Sequence, residues 1–169
     1  MSTLRCTKKL LALVGVKPEP ESNQDVGSDD WHANLVWVER KKLVLFCSNR
    51  TLFCCVSPPV LKAQIQSLVP LFLSSLRYQM QYEGFAANDI AYVIAKYESM
   101  GVGRTNNRSV VGSMNDYVFH LGYRIYTDGG LAACNLGEVV QFLNQIPQVG
   151  RDFHNGIGAF KRSLIRGVA

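Results

Sequence analysis

The sequence predicts an α+β fold in which a three-stranded antiparallel meander, open to extension by short N-terminal and central strands, packs against about five helices. Three observations carry this. The runs HANLVWVER, KKLVLFCSN and TLFCCVSP follow one another with only polar turns at Arg40–Lys42 and Ser48–Arg50 between them. Strands joined so tightly must run antiparallel. From residue 60 onward the apolar residues recur at helical spacing, so strands precede helices without regular alternation. Finally, 169 residues, 47% hydrophobic and 18% charged, suit one globular domain over 1–169 that buries its own core.

Taken in order, Leu4–Thr7 is a candidate short strand, and Lys8–Val14 reads as a short helix closed by Gly15. Lys17–Asp30 holds two prolines, two serines and five acids. It reads as an exposed acidic loop, because such a composition buries too little to offset its ordering entropy. After the meander, Pro58 and Pro59 are expected to open a helix. Leu61, Ile65, Leu68, Leu71, Phe72 and Leu76 carry that helix to Tyr82, with Pro70 expected to kink or split it. Asn88–Tyr97 follows as another helix, and Ser99–Thr105 is open to short strand or loop. Asn135 caps a helix over Leu136–Gln145 that Pro147 ends. The tail, GIGAFKRSLIRGVA, places Ile157, Phe160, Leu164 and Val168 at helical spacing, a basic helix at about 156–168.

Net charge is +5. Lys8 and Lys9 stand near one terminus and Lys161, Arg162 and Arg166 near the other, so the two ends form one basic patch if they meet in space. The five cysteines include no C-x-x-C pair, and Cys47, Cys54 and Cys55 lie inside apolar runs. They read as reduced core thiols of a cytoplasmic protein. The apolar stretch Leu10–Val16 is too short for a signal or membrane segment, so no membrane association is expected. With three histidines and no ligand spacing, neither metal nor cofactor is expected. His32 reads as a strand-entry residue, and GVG (Gly101–Gly103) lacks the rest of a nucleotide-binding fingerprint.

The densest polar stretch is GVGRTNNRSVVGSMNDYV, Gly101–Val118, in which nine of eighteen residues are polar or charged. A helix from about Asn107 puts Val110, Met114, Val118, Leu121 and Ile125 on one stripe. Ser109, Ser113, Asp116, His120 and Arg124 fall on the other. Arg104, Asn106, Asn107 and Arg108, with Ser109 and the helix N-terminus, suit an anion such as phosphate. Asp116 and His120, four residues apart, form a candidate acid–base pair with Ser113 nearby. Gly112 weakens the helix, which makes sense where something packs closely on it.

RCTKKLL at 5–11, WHANLVWVERKK at 31–42, the strand pattern through TLF at 51–53 and above all RSVVGSMND at 108–116 resemble a bacterial domain family of unknown function. The similarity spans residues 4 to about 146, and Val111 stands where the family has Leu or Ile. The resemblance marks Lys8, Lys9, Trp31, Asn34, Arg108, Ser109, Ser113, Asn115 and Asp116 as family-typical. Of these, Trp31, Asn34, Ser113, Asn115 and Asp116 are expected at a partner interface. It also implies an accessory role near mobile or defence-linked genes. The resulting expectation is a small binding protein that contacts nucleic acid or a nucleoprotein complex. A ribonuclease-like toxin using Asp116 and His120, and an inhibitor or antitoxin acting by protein contact alone, are the alternatives.

Overall fold

The computed structural model describes residues 1–15, 17 and 29–166, with Arg166 given by its backbone alone. The meander is present as β2 (Trp31–Val38), β3 (Lys41–Ser48) and β4 (Cys54–Val56). Its first turn, Glu39 and Arg40, has φ of 50° and 62°, the doubly left-handed form that matches strand twist in a two-residue hairpin. Both candidate short strands are present as well: β1 (Thr3–Cys6) and β5 (Gly101–Arg104). They extend the sheet to five strands in the order β4-β3-β2-β1-β5, and β1 runs parallel to both neighbours. The sheet is therefore mixed rather than a plain antiparallel meander. Parallel strands need a crossover, and α1 (Lys8–Val14) lies in the one that joins β1 to β2.

Helices cover the sheet on two sides. On one side Leu4, Cys6, Trp31, Ala33, Val44, Phe46 and Cys55 meet α1, α2 (Lys62–Gln66), α3 (Leu68–Tyr82), α4 (Ala87–Tyr97) and Phe160 of α7 (Gly156–Arg166). On the other, Val36, Leu43, Leu45, Cys47, Cys54 and Val56 meet α5 (Arg108–Thr127) and α6 (Leu136–Gln145). This explains why β3 reads as an unbroken apolar run: residues pointing to either face are buried. Among the described residues there are seven helices rather than about five.

Several local expectations are corrected. The break in the 60–82 helix falls at Ser67 (φ −99°, ψ 59°), not at Pro70. Pro70 sits in the first turn of α3, where a missing N–H leaves no intrahelical bond unmade. Pro58 and Pro59 do not open a helix either. Val60 first donates its N–H to the Lys42 carbonyl (2.9 Å), so the chain clings to the start of β3 before α2 begins. On α5 the buried stripe is Val110, Met114, Tyr117, Leu121 and Ile125; Tyr117 takes the place expected for Val118, which is half-buried.

Trp31, expected at an interface, is fully buried. Its ring packs at 4.9 Å from Phe72 and edge-on to Tyr97 (6.0 Å) and Phe160 (6.4 Å). Asp30 is also inside, at the end of the stretch read as an exposed acidic loop. Its Oδ2 accepts from Arg5 Nε at 2.9 Å and its Oδ1 from Thr3 N at 2.8 Å. Residues 18–28 of that loop, and Val168 of the tail, lie outside the described residues.

Asn144 supplies a strand-like partner to the outer edge of β4. Its Oδ1 accepts from Cys54 N (2.8 Å) and its Nδ2 donates to Cys54 O (3.0 Å). Tail helix α7 begins against the β3–β4 turn. A Cβ at Gly156 would lie 2.9 Å from Leu52 O, so the glycine is what lets the tail approach. Phe160 then stacks on Phe53 at 4.3 Å. No described helix is long and apolar enough to cross a membrane.

Candidate functional site

The start of α5 is the best-organised polar feature. Asn107 caps the helix, its Oδ1 accepting from Ser109 N (3.1 Å) and Val110 N (3.3 Å). Its Nδ2 donates to Asn49 Oδ1 (3.0 Å), tying the helix start to the β3–β4 turn. One asparagine of the motif is thus engaged in architecture. Arg104, Asn106 and Arg108 remain exposed around it.

Neighbouring segments bring more positive charge to this end. Cys6 lies opposite Arg104 in the β1–β5 register, and Thr105 N donates to Cys6 O (3.2 Å). α1, with the exposed Lys8 and Lys9, therefore starts at the end of the sheet where β5 ends in Arg104. Arg151, from the loop after α6, donates through Nη2 to Ser109 Oγ at 2.7 Å. Arg50, one residue from Asn49, shares a cleft of about 340 Å³ with Arg162, Thr51, Ser163 and Asp152. Among the described residues, no carboxylate lies within ion-pair distance of these lysines and arginines. The ion pairs there use Arg5, Lys96 and Arg124 instead.

Along α5 the polar side predicted from helical spacing lines a second cleft, of about 370 Å³. Ser109, Ser113, Asp116 and His120 form its helix wall, and Gln148, Val149 and Arg151 face them. Gln148 Nε2 donates to the Tyr117 hydroxyl (3.0 Å), which donates to Leu52 O (3.1 Å), so the cleft floor is fixed by hydrogen bonds. Burial pushes the Tyr117 phenol well above its ordinary range, keeping it a donor. Ser113 Oγ donates to Ser109 O (3.2 Å), within its own helix. Among the described residues no hydrogen bond joins Asp116 to His120 or His120 to Ser113, so the three share a wall without forming a relay.

The other expected residues are dispersed. Asn34 is half-buried and accepts from Thr7 Oγ1 (3.0 Å), while Asn115 is exposed and is not among the residues lining the cleft. Lys161 stands 5.9 Å over the Phe85 ring, and Arg166 ends α7. The thiols are poor nucleophiles. Burial raises Cys47, Cys54 and Cys55 far above the usual thiol range and lifts Cys6 to about 12. No group of three or more His, Cys, Asp or Glu among the described residues is placed to hold a metal ion.

Arg50 and Arg151 were not singled out from the sequence. They lie 58 and 43 positions from Arg108, on loops, and no local spacing announces them. Gly112 is the other surprise. A Cβ built on it meets nothing within 4 Å among the described residues, so none of them packs there. Gly112→Ala is therefore expected to raise the unfolding free energy by about 0.5–1 kcal/mol in dilute solution, measured by urea denaturation. A loss of stability would mean the site is occupied after all.

Fold and site together define a class: an α+β protein with a five-stranded mixed sheet and, at the start of α5, exposed arginines that make no ion pair among the described residues. Residues 3–157 match the sequence profile of the family described as a domain of unknown function (DUF6933), and the chain belongs to that family. The match takes in the sheet and α1 to α6 and stops within the first turn of α7. No curated protein matches the chain.

Proposed function

We propose that this is a binding protein that holds the phosphate backbone of a nucleic acid, free or within a nucleoprotein complex, on the basic surface around the start of α5. One observation carries the reading. Arg108 and Arg151 stand at the start of α5, Arg50 and Arg162 share the cleft beside Asn49, and Lys8, Lys9 and Arg104 stand where β1 and β5 end, with no ion-paired carboxylate on any of them among the described residues. Clustered unpaired cations raise the local positive potential and favour a polyanion through counterion release. Asn106 and the serine hydroxyls would help position a backbone, a role that carries no sequence information. The accessory role beside mobile or defence-linked genes that the resemblance implies fits such a binder.

Binding of short RNA and DNA, single- and double-stranded, across a salt series is the test. Affinity should fall steeply with salt. The Arg104→Glu/Arg108→Glu double variant should lose on the order of tenfold or more and flatten the salt slope by about 1.5. His120→Ala and Asp116→Asn should leave affinity unchanged. Salt-independent or absent binding would overturn the reading. Nucleic-acid cleavage lost in His120→Ala would replace it with the nuclease alternative, and a stable co-purifying protein without nucleic acid with the inhibitor one.

A further inference from the structure

The solvent side of α5 carries aromatic side chains that neither its packing nor the basic surface uses; of this face only Arg108 belongs to the basic surface. Opposite the buried stripe, helical spacing lines up Arg108, Gly112, Asn115, Phe119, Tyr123 and Tyr126. The three aromatic side chains are 69%, 63% and 81% exposed. Exposed aromatics in register on one face are unusual for a surface helix with no partner. The face is also uneven along its length. It is bulky toward the C-terminal half and bare toward the other, where no described residue lies within 4 Å of a Cβ built on Gly112.

Charge is divided the same way. Arg104, Arg108 and Arg151 stand at the start of α5, without ion pairs among the described residues. Asp128 and Glu138 stand at its end, flanking Arg124 at 3.3 and 3.9 Å.

We propose that this face pairs with the same face of a second copy of the chain, the two α5 helices lying antiparallel across a two-fold axis. In that arrangement Phe119 and Tyr123 of one copy cover Asn115 and Gly112 of the other. The same register brings Tyr126 to the partner's Arg108, a cation–π contact. Bulk meets bare helix and the basic end meets the acidic end, and the symmetry makes every contact twice. The antiparallel sense also sets each positive helix N-terminus beside the other copy's carboxylates.

A nucleic-acid strand stacking its bases on the rings is the competing occupant. The carboxylates of Asp116, Asp128 and Glu138 border the aromatic half, and the free cations lie at the opposite end of the helix. Phosphates are disfavoured there, so the second copy fits better. Arg108 is shared with the basic surface, so a second copy and a nucleic acid compete for it, and the dimer is tested on protein free of nucleic acid.

Sedimentation velocity on the full chain, at micromolar concentration and free of nucleic acid, tests it. The wild type should be a dimer. Gly112→Gln, which the open space tolerates within one copy, should weaken the dimer at least about tenfold while the urea midpoint of the dissociated protein stays level or rises. Tyr123→Ala should do the same from the other half of the interface. A wild-type monomer throughout the range, or a dimer indifferent to both variants, would overturn the proposal. So would a monomer whose nucleic-acid affinity falls in Tyr123→Ala, which would assign the rings to base stacking.

Discussion

Trp31→Ala is expected to lower the unfolding free energy by about 3–5 kcal/mol, the range for removing a large aromatic side chain from a packed core. The ring is fully buried between the sheet and the helices that cover this side. Phe72 of α3, Tyr97 of α4 and Phe160 of α7 all touch it, so one truncation opens a cavity shared by three helices. Each partner is held by a different stretch of chain, and none can close the gap alone without losing its own contacts. Urea denaturation gives the effect, and near-ultraviolet circular dichroism reports whether the aromatic cluster survives. Trp31→Phe, which keeps part of the volume, should recover more than half of the loss. A cost below about 1 kcal/mol for the alanine variant would mean that the ring is not the hub of this core, and an interface role for Trp31 would return.

Trp31 also shows where sequence reasoning reaches its limit. The W-x-A-N-L pattern marks it as family-typical, and a buried hub and an exposed anchor give the same signal in one sequence. What separates them is the register of β2 against β1, Leu4 opposite Trp31, which turns the ring toward the α3 side. Strands of four residues such as β1 and β5 show no usable period, so the parallel half of the sheet was open between strand and loop. The meander was legible because its runs are long and its turns short. Helix α5 was legible too: its start near Asn107, its apolar stripe save one residue, and the side that lines the cleft were readable, the last two from 100° steps. Arg50 and Arg151 were hidden because tertiary contacts alone bring them there, through Asn49–Asn107 and Arg151–Ser109. Pro70 misled because a proline inside an apolar run reads as a break, whereas Ser67 had already ended the preceding turn.

Acid should destabilise the protein through His32. This residue is fully buried on β2, and among the described residues neither ring nitrogen has a hydrogen-bond partner. Its register neighbours are Arg5 and Cys47. Burial pushes its pKa down from 6.5 to about 4, the negative charge of Asp30 opposing that shift and the Arg5 guanidinium adding to it. The unfolded chain takes up a proton near the ordinary histidine value, and the folded chain does so only near 4. Between these two values the unfolded state binds more protons, so stability is complete above about pH 6.5 and declines as pH falls toward 4. A shift of that size corresponds to about 3 kcal/mol lost across the window. His32→Leu removes the titrating group and two unpartnered polar atoms while keeping the site apolar, so stability at neutral pH should hold or rise. Urea midpoints measured from pH 7 down to 4 should fall more steeply for the wild type than for the variant, the difference opening below pH 6.5. Parallel curves would show that His32 stays unprotonated without penalty or is protonated equally in both states, and the acid sensitivity would then belong to the carboxylates.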